Sequence, residues 1–144
     1  MYPTPLEEFH LARMEYLRKL TDSVGWSDHS HVERDGILGT KAAVYYGADV
    51  IERHFTILPA DQTKDGPVSV RPEHVADLKK FSEMSKDEMK SHLEDVFPDY
   101  EKTLGEVERE LSDAELLNRD YFRGRFSSKK EDCTSIYNWE EVEI

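Results

Sequence analysis

Two histidines offer the first chemistry in this sequence. His29 follows the short apolar stretch Val24-Gly25-Trp26-Ser27, and His54 closes the run Asp49-Val50-Ile51-Glu52-Arg53. Each imidazole is therefore expected at the C-terminal end of a β-strand. Neutral imidazole is a common ligand for divalent metals. Two imidazoles on neighbouring strands could meet one ion, with Asp28 or Glu52 orienting the rings or handling protons. Each histidine could equally cap its strand or satisfy a hydrogen bond in the core. Ser27, beside a strand end, could donate to a phosphate, while Asp65-Gly66-Pro67 most simply makes a turn. Arg123 and Arg125 could hold an anion or neutralise the acidic residues near them. His10, His31, His74 and His92 fall at helical or exposed positions and receive no role, and Tyr45-Tyr46 reads as helix packing. No phosphate-cradling glycine loop, GxSxG elbow or CxxC is present.

The elements that must position these side chains follow from the spacing. Thr4-Pro5-Leu6-Glu7 reads as a capping box with proline in the first turn. It predicts an amphipathic helix over residues 4–20, with Leu6, Phe9, Leu11, Met14, Leu17 and Leu20 mostly three or four apart. A short strand at Val24–Ser27 is followed by a polar loop. Small and apolar residues from Asp35 to Tyr46 predict a closely packed helix stopped by Gly47. The β-branched and aromatic content of residues 49–57 predicts a second strand. Strand, helix and strand within some 35 residues imply a parallel pair joined by a right-handed crossover. A loop over residues 60–70 then leads to a helix opening at Pro72, with Val75, Leu78 and Phe81 on one face. Residues 83–110 are charge-rich and interrupted by Pro98 and Gly105, so they read as an exposed helical extension. Ser112-Asp113-Ala114-Glu115 is a further capping box.

Composition limits the function classes. The 144 residues suit one domain. A formal charge of −12 argues against a nucleic-acid or anionic-membrane surface. Residues 81–144 carry 9 basic and 18 acidic side chains, against 10 and 13 in residues 1–80, so the excess is C-terminal and the core is expected in the first half. The single cysteine, Cys133, excludes an internal disulfide, and no run is long and apolar enough for a transmembrane helix. A cytoplasmic location is expected. Two parallel strands alone leave both sheet edges unpaired, so the chain reads as part of a larger α/β fold that self-associates or docks with a missing portion.

Several segments together carry a resemblance. Tyr2-Pro3-Thr4-Pro5, Gly25-Trp26-Ser27-Asp28-His29-Ser30, Gly47 through Thr56 with its Glu52-Arg53-His54-Phe55-Thr56, and Gly66-Pro67 with Arg71-Pro72-Glu73 resemble, in this order, the last third of the catalytic barrel of the sialic acid synthase family. That family includes the N-acetylneuraminate synthases and their legionaminate and pseudaminate relatives. The resemblance covers residues 1–82, with a looser echo at Arg123-Gly124-Arg125-Phe126. It implies that residues 1–82 are the C-terminal portion of a (β/α)8 TIM barrel, about strands 6–8 and their helices. Residues 83–144 would be an acidic helical extension and tail without an antifreeze-like domain.

The implied reaction condenses phosphoenolpyruvate with an open-chain N-acyl hexosamine of the N-acetylmannosamine type, giving a nine-carbon 2-keto sugar acid and phosphate. The resemblance places a divalent metal, manganese or magnesium, on His29 and His54. It puts Ser27 on the phosphoenolpyruvate phosphate and Tyr2 and Glu52 beside the sugar, with Glu52 also moving a proton. The family's usual Gly-Pro-Asp-His stands here as Asp65-Gly66-Pro67-Val68, making Asp65 a displaced substitute for the sugar-binding aspartate. The phosphoenolpyruvate-binding lysines belong to early barrel strands that this chain lacks, so turnover is not expected from these residues alone. The alternative is a non-catalytic barrel remnant that binds a metal or a partner.

Overall fold

The computed structural model describes residues 2–122, 127–129 and 135–137. Strands β1 (Gly25–Asp28) and β2 (Val50–Arg53) pair in parallel, with Gly25 opposite Val50 and Asp28 opposite Arg53. The chain between them forms α2 (Val32–Asp35) and α3 (Leu38–Tyr45), the crossover that the spacing predicts. The pairing spreads to each side. The Thr4 N–H donates to the His29 carbonyl at 2.9 Å, and Phe55 bridges Val70 in parallel. Alternation along the strands puts Gly25, Ser27, Val50 and Glu52 on one face, where Ser27, Val50 and Glu52 are exposed. Trp26, Asp28, Ile51 and Arg53 take the better-covered face.

The predicted helix over residues 4–20 breaks in two. A single 3-10 turn (Leu6–Glu8) is separated from α1 (Arg13–Leu17) by His10, whose φ of +50° is non-helical. The break lets the Leu11 and Ala12 N–H groups donate to the carbonyls of Thr103 and Leu104, both at 2.9 Å. Local propensity yields to these tertiary bonds. The predicted helix from Asp35 also begins earlier, as α2, and restarts beyond Gly36. Gly47, at φ +95°, ends α3 as expected, in a conformation that favours glycine.

Residues 83–104 are not an exposed extension. Helix α4 (Pro72–Ser82) is followed by α5 (Lys86–Val96), whose cap is reciprocal: the Ser85 N–H donates to Glu88 and the Glu88 N–H to Ser85 Oγ. Leu93 is fully buried, and with Phe81, Met89 and Tyr100 it forms a second core against Val44, Tyr45 and Tyr46 of the α3 segment. The first core gathers Phe9, Leu11, Met14, Val24, Ala42 and Ala43. Helix α3 contributes to both, so the hydrophobic interior extends well beyond the first half of the chain. Residues Tyr2–Glu108 form one compact unit, and the expected boundary after residue 82 falls inside it. Charge misled here because α5 buries Met89 and Leu93, half-buries His92 and presents its remaining residues to solvent. Polar α3 residues are also enclosed. Lys41 donates to His92 Nε2 at 3.0 Å and pairs with Asp77 at 2.9 Å.

The described residues from Arg109 onward cluster separately. Helix α6 (Asp113–Phe122) opens with the predicted capping box, the Ser112 N–H donating to Glu115 at 2.8 Å. Strands β3 (Ser127–Lys129) and β4 (Ser135–Tyr137) are antiparallel. Arg123, Arg125 and Cys133 lie outside the described residues. Among the described residues no helix is long and apolar enough to cross a membrane.

Two outcomes test this packing. Leu93→Ala is expected to lower the stability of the whole unit by about 2–5 kcal/mol, read by urea unfolding on Trp26 fluorescence; loss of α5 signal without a shift in the Trp26 transition would contradict a shared core. The Arg109 guanidinium, donating at 2.6 and 2.7 Å, with help from Ser112, holds the Glu115 carboxyl down to about 2. A lowered carboxylate stabilises the folded state above its ordinary value near 4.5 and loses that effect as pH falls through about 2. Glu115 should therefore titrate near 2 by NMR, with the first turn of α6 loosening over the same range; a midpoint near 4.5 would refute the pairing.

Candidate functional site

Strand alternation delivers the candidate residues to one open face. His29 and His54 follow β1 and β2 at equivalent positions, two residues beyond the register partners Ser27 and Glu52. Their ring centroids stand 5.2 Å apart, and the Tyr2 ring lies 5.4 Å from that of His29. Asp65 arrives from the loop after β2. Its Oδ1 accepts the Tyr2 hydroxyl at 2.8 Å, and its Oδ2 lies 3.7 Å from His54 Nδ1. Tyr2, His29, His54 and Asp65 thus form one cluster, with Ser27 and Glu52 on the adjoining exposed positions of the strand pair.

The loop that carries Asp65 is folded back on itself. Two 3-10 turns, Ala60–Gln62 and Gly66–Val68, are packed so closely that a Cβ on Gly66 would sit 1.8 Å from the Ala60 carbonyl oxygen. The Ser69 hydroxyl donates to the Asp65 carbonyl at 2.7 Å and ties the loop to its end. Glycine at position 66 is thus a packing requirement that lets the preceding carboxylate face Tyr2 and His54. The Tyr2 hydroxyl is pushed up to about 12, first by desolvation and then by its bond to the Asp65 carboxylate and that group's charge. It remains a neutral donor at physiological pH.

Two imidazoles with a carboxylate beside one of them are donors of the kind that divalent transition ions accept. Among the described residues no group of three or more His, Cys, Asp or Glu is arranged to hold a metal ion. The pair could thus supply two ligands of a metal site and leave its remaining positions to other donors.

Asp28 does not serve the rings. It lies on the opposite face, fully buried, where Oδ1 accepts the Ser30 N–H at 2.7 Å and Oδ2 accepts Thr40 Oγ1 and, at 3.0 Å, Arg53 Nη1. Arg53 Nη2 also donates to the Ser30 carbonyl at 2.9 Å. Burial pulls the Arg53 guanidinium down from its ordinary value, while Asp28 and Asp35 pull it back up. Arg53, Thr40 and Ser30 are the site-supporting residues that sequence reasoning missed. The signal was present in the pairs Asp28-His29 and Arg53-His54, because adjacent strand residues point to opposite faces. Arg53→Ala would leave the Asp28 carboxylate buried without its cation and should cost about 3–5 kcal/mol in urea unfolding; a loss below about 1 kcal/mol would show that the pair is dispensable.

Comparison with known proteins gives the family. The model of the NeuB family matches residues 1–93, a span that reaches into α5. A pseudaminic acid synthase from Campylobacter jejuni is 32% identical over 98% of this chain and 36% of its own length. An N,N'-diacetyllegionaminic acid synthase from Legionella pneumophila is 33% identical over 90% of this chain and 35% of its own length. The crystal structure of the spore coat polysaccharide biosynthesis protein spsE from Bacillus subtilis superposes with a TM-score of 0.60 at 28% identity, covering 86% of this chain and 34% of that one. The chain thus spans about a third of the length of these relatives. With residues 1–93 matched and the histidines after β1 and β2 drawn together on one face, this chain belongs to the NeuB family, that of the sialic acid synthases and their pseudaminate- and legionaminate-forming relatives.

Proposed function

We propose that this chain carries the metal-binding and sugar-facing edge of a (β/α)8 barrel that condenses phosphoenolpyruvate with an N-acyl hexosamine of the N-acetylmannosamine type. The observation that carries this reading is the 5.2 Å separation of the His29 and His54 rings beyond the ends of two adjacent parallel strands, the edge at which α/β sheets gather ligands. In the reaction C3 of phosphoenolpyruvate attacks the aldehyde carbon, forming the new C–C bond, and the aldehyde oxygen takes up a proton. Water adds at the former enol carbon, and cleavage of that carbon's bond to the phosphate oxygen releases phosphate and leaves the 2-keto acid.

His29 and His54 would hold the manganese or magnesium ion, which when bound supplies a Lewis acid for the aldehyde oxygen. Glu52, exposed on the same face, would move the proton, and Ser27, its register partner, would donate to the phosphate. Tyr2 and Asp65 would line the sugar side, Tyr2 as a neutral donor. The lysines that would hold phosphoenolpyruvate must come from other barrel strands. Support for such a partner lies in the exposed apolar residues along the sheet and the following loop, among them Val50, Phe55 and Ile57. A soluble domain does not ordinarily leave such a group uncovered.

The test begins with manganese binding to the full chain, followed by electron paramagnetic resonance. Wild type is expected to bind one ion, and His29→Ala and His54→Ala each to abolish binding; retention in both variants would end the metal assignment. Mixed with the N-terminal barrel portion of a relative, the chain should release phosphate only when manganese, phosphoenolpyruvate and N-acetylmannosamine are all present. Glu52→Gln should slow that release by about 10²–10⁴-fold; an unchanged rate would remove Glu52 from proton transfer.

A further inference from the structure

Asp65 is placed to act on a neighbouring side chain as well as on a sugar. Its two carboxylate oxygens are divided: Oδ1 accepts the Tyr2 hydroxyl at 2.8 Å, and Oδ2 faces His54 Nδ1 at 3.7 Å. The loop around it is held by the Ser69 hydroxyl on the Asp65 carbonyl and by the tight approach at Gly66, so the carboxylate is delivered to this position by the backbone. A carboxylate accepts hydrogen bonds and cannot donate them when ionised, so the imidazole nitrogen facing it is favoured as the one that bears the proton. The other nitrogen, Nε2, then keeps a free lone pair.

We propose that Asp65 is a positioning residue for His54: its Oδ2 holds the neutral imidazole as the Nδ1–H tautomer and so keeps Nε2 available as a ligand atom, while the Tyr2 hydroxyl on Oδ1 fixes the carboxylate's orientation. The usefulness of this arrangement rests on the reading of His54 as a metal ligand; the tautomer itself does not. The 3.7 Å separation is longer than a direct hydrogen bond, so the carboxylate acts on the ring through its negative charge, which favours the proton on the nitrogen nearest to it.

Nitrogen-15 NMR of the histidine rings at pH 8, with no metal present, separates this proposal from the metal assignment. His54→Ala identifies the signals. Wild type is expected to show His54 protonated mainly at Nδ1. Asp65→Ala should move the proton to Nε2, the site preferred by a free neutral imidazole, and Tyr2→Phe should leave it mainly on Nδ1 because the carboxylate remains. His29→Ala should leave the His54 tautomer unchanged while abolishing manganese binding. Asp65→Ala is further expected to weaken manganese binding about 10–100-fold. An Nε2–H tautomer in wild type, or a tautomer unmoved by Asp65→Ala, would overturn the proposal even if manganese binds. Failure of wild type to bind manganese, with the tautomer behaving as described, would instead overturn the metal reading and leave the Asp65–His54 pairing standing. If Asp65→Ala fails to fold, wild type and Tyr2→Phe still decide the tautomer.

Discussion

The buried pair between Asp28 and Arg53 is the constraint on which the site depends. It spans β1 and β2 at directly opposed positions, and Thr40 from α3 and the backbone of Ser30 complete its hydrogen bonds. A charge pair is costly to bury unless its geometry and partners are satisfied, so this network tolerates few alternative strand alignments. A one-residue slip would turn Asp28 or Arg53 to the open face and carry a histidine into the helix layer. The network under the sheet therefore sets the alignment above it. His29 and His54 are level with each other because the residues just before them are locked together on the other side.

Packing then holds the sheet to its helices through one shared element. Helix α3 presents Ala42 and Ala43 to the core under β1, while Val44, Tyr45 and Tyr46 meet the core built by α4 and α5. Thr40 extends from the same helix into the Asp28 network. Disturbing α3 would thus be felt at the sheet and in α5 together. The bend at His10 belongs to the same economy of contacts, because it brings residues 11 and 12 to the carbonyls of Thr103 and Leu104 and closes the unit around both cores.

The open face is assembled by different means. Ser27, Glu52, His29 and His54 reach it through strand alternation, a local rule. Tyr2 and Asp65 reach it through long-range contacts, Tyr2 beside His29 and Asp65 across 63 residues of chain from Tyr2. The Asp65 carboxylate accepts the Tyr2 hydroxyl and lies 3.7 Å from His54, on a loop held by the close packing at Gly66 and by the Ser69 hydroxyl.

Much of this was legible in the residues alone. A short apolar stretch and a β-branched, aromatic run placed β1 and β2 with their histidines at the strand ends, the small residues of α3 announced a closely packed crossover, and the motif order pointed to the family. The Ser112 cap was readable because it is a local exchange of hydrogen bonds, and the matching Ser85 to Glu88 signature of α5 was equally available in Ser85-Lys86-Asp87-Glu88. Tertiary structure alone decided the break at His10, the burial of Leu93 within a charge-rich segment, the turning of Asp28 away from the rings and the arrival of Asp65 beside His54. The physical reason is common to all four. Local sequence determines hydrogen bonds and periodicity within a few residues, whereas these features depend on which distant surface offers a carbonyl, an apolar cavity or a counter-charge once the chain has closed.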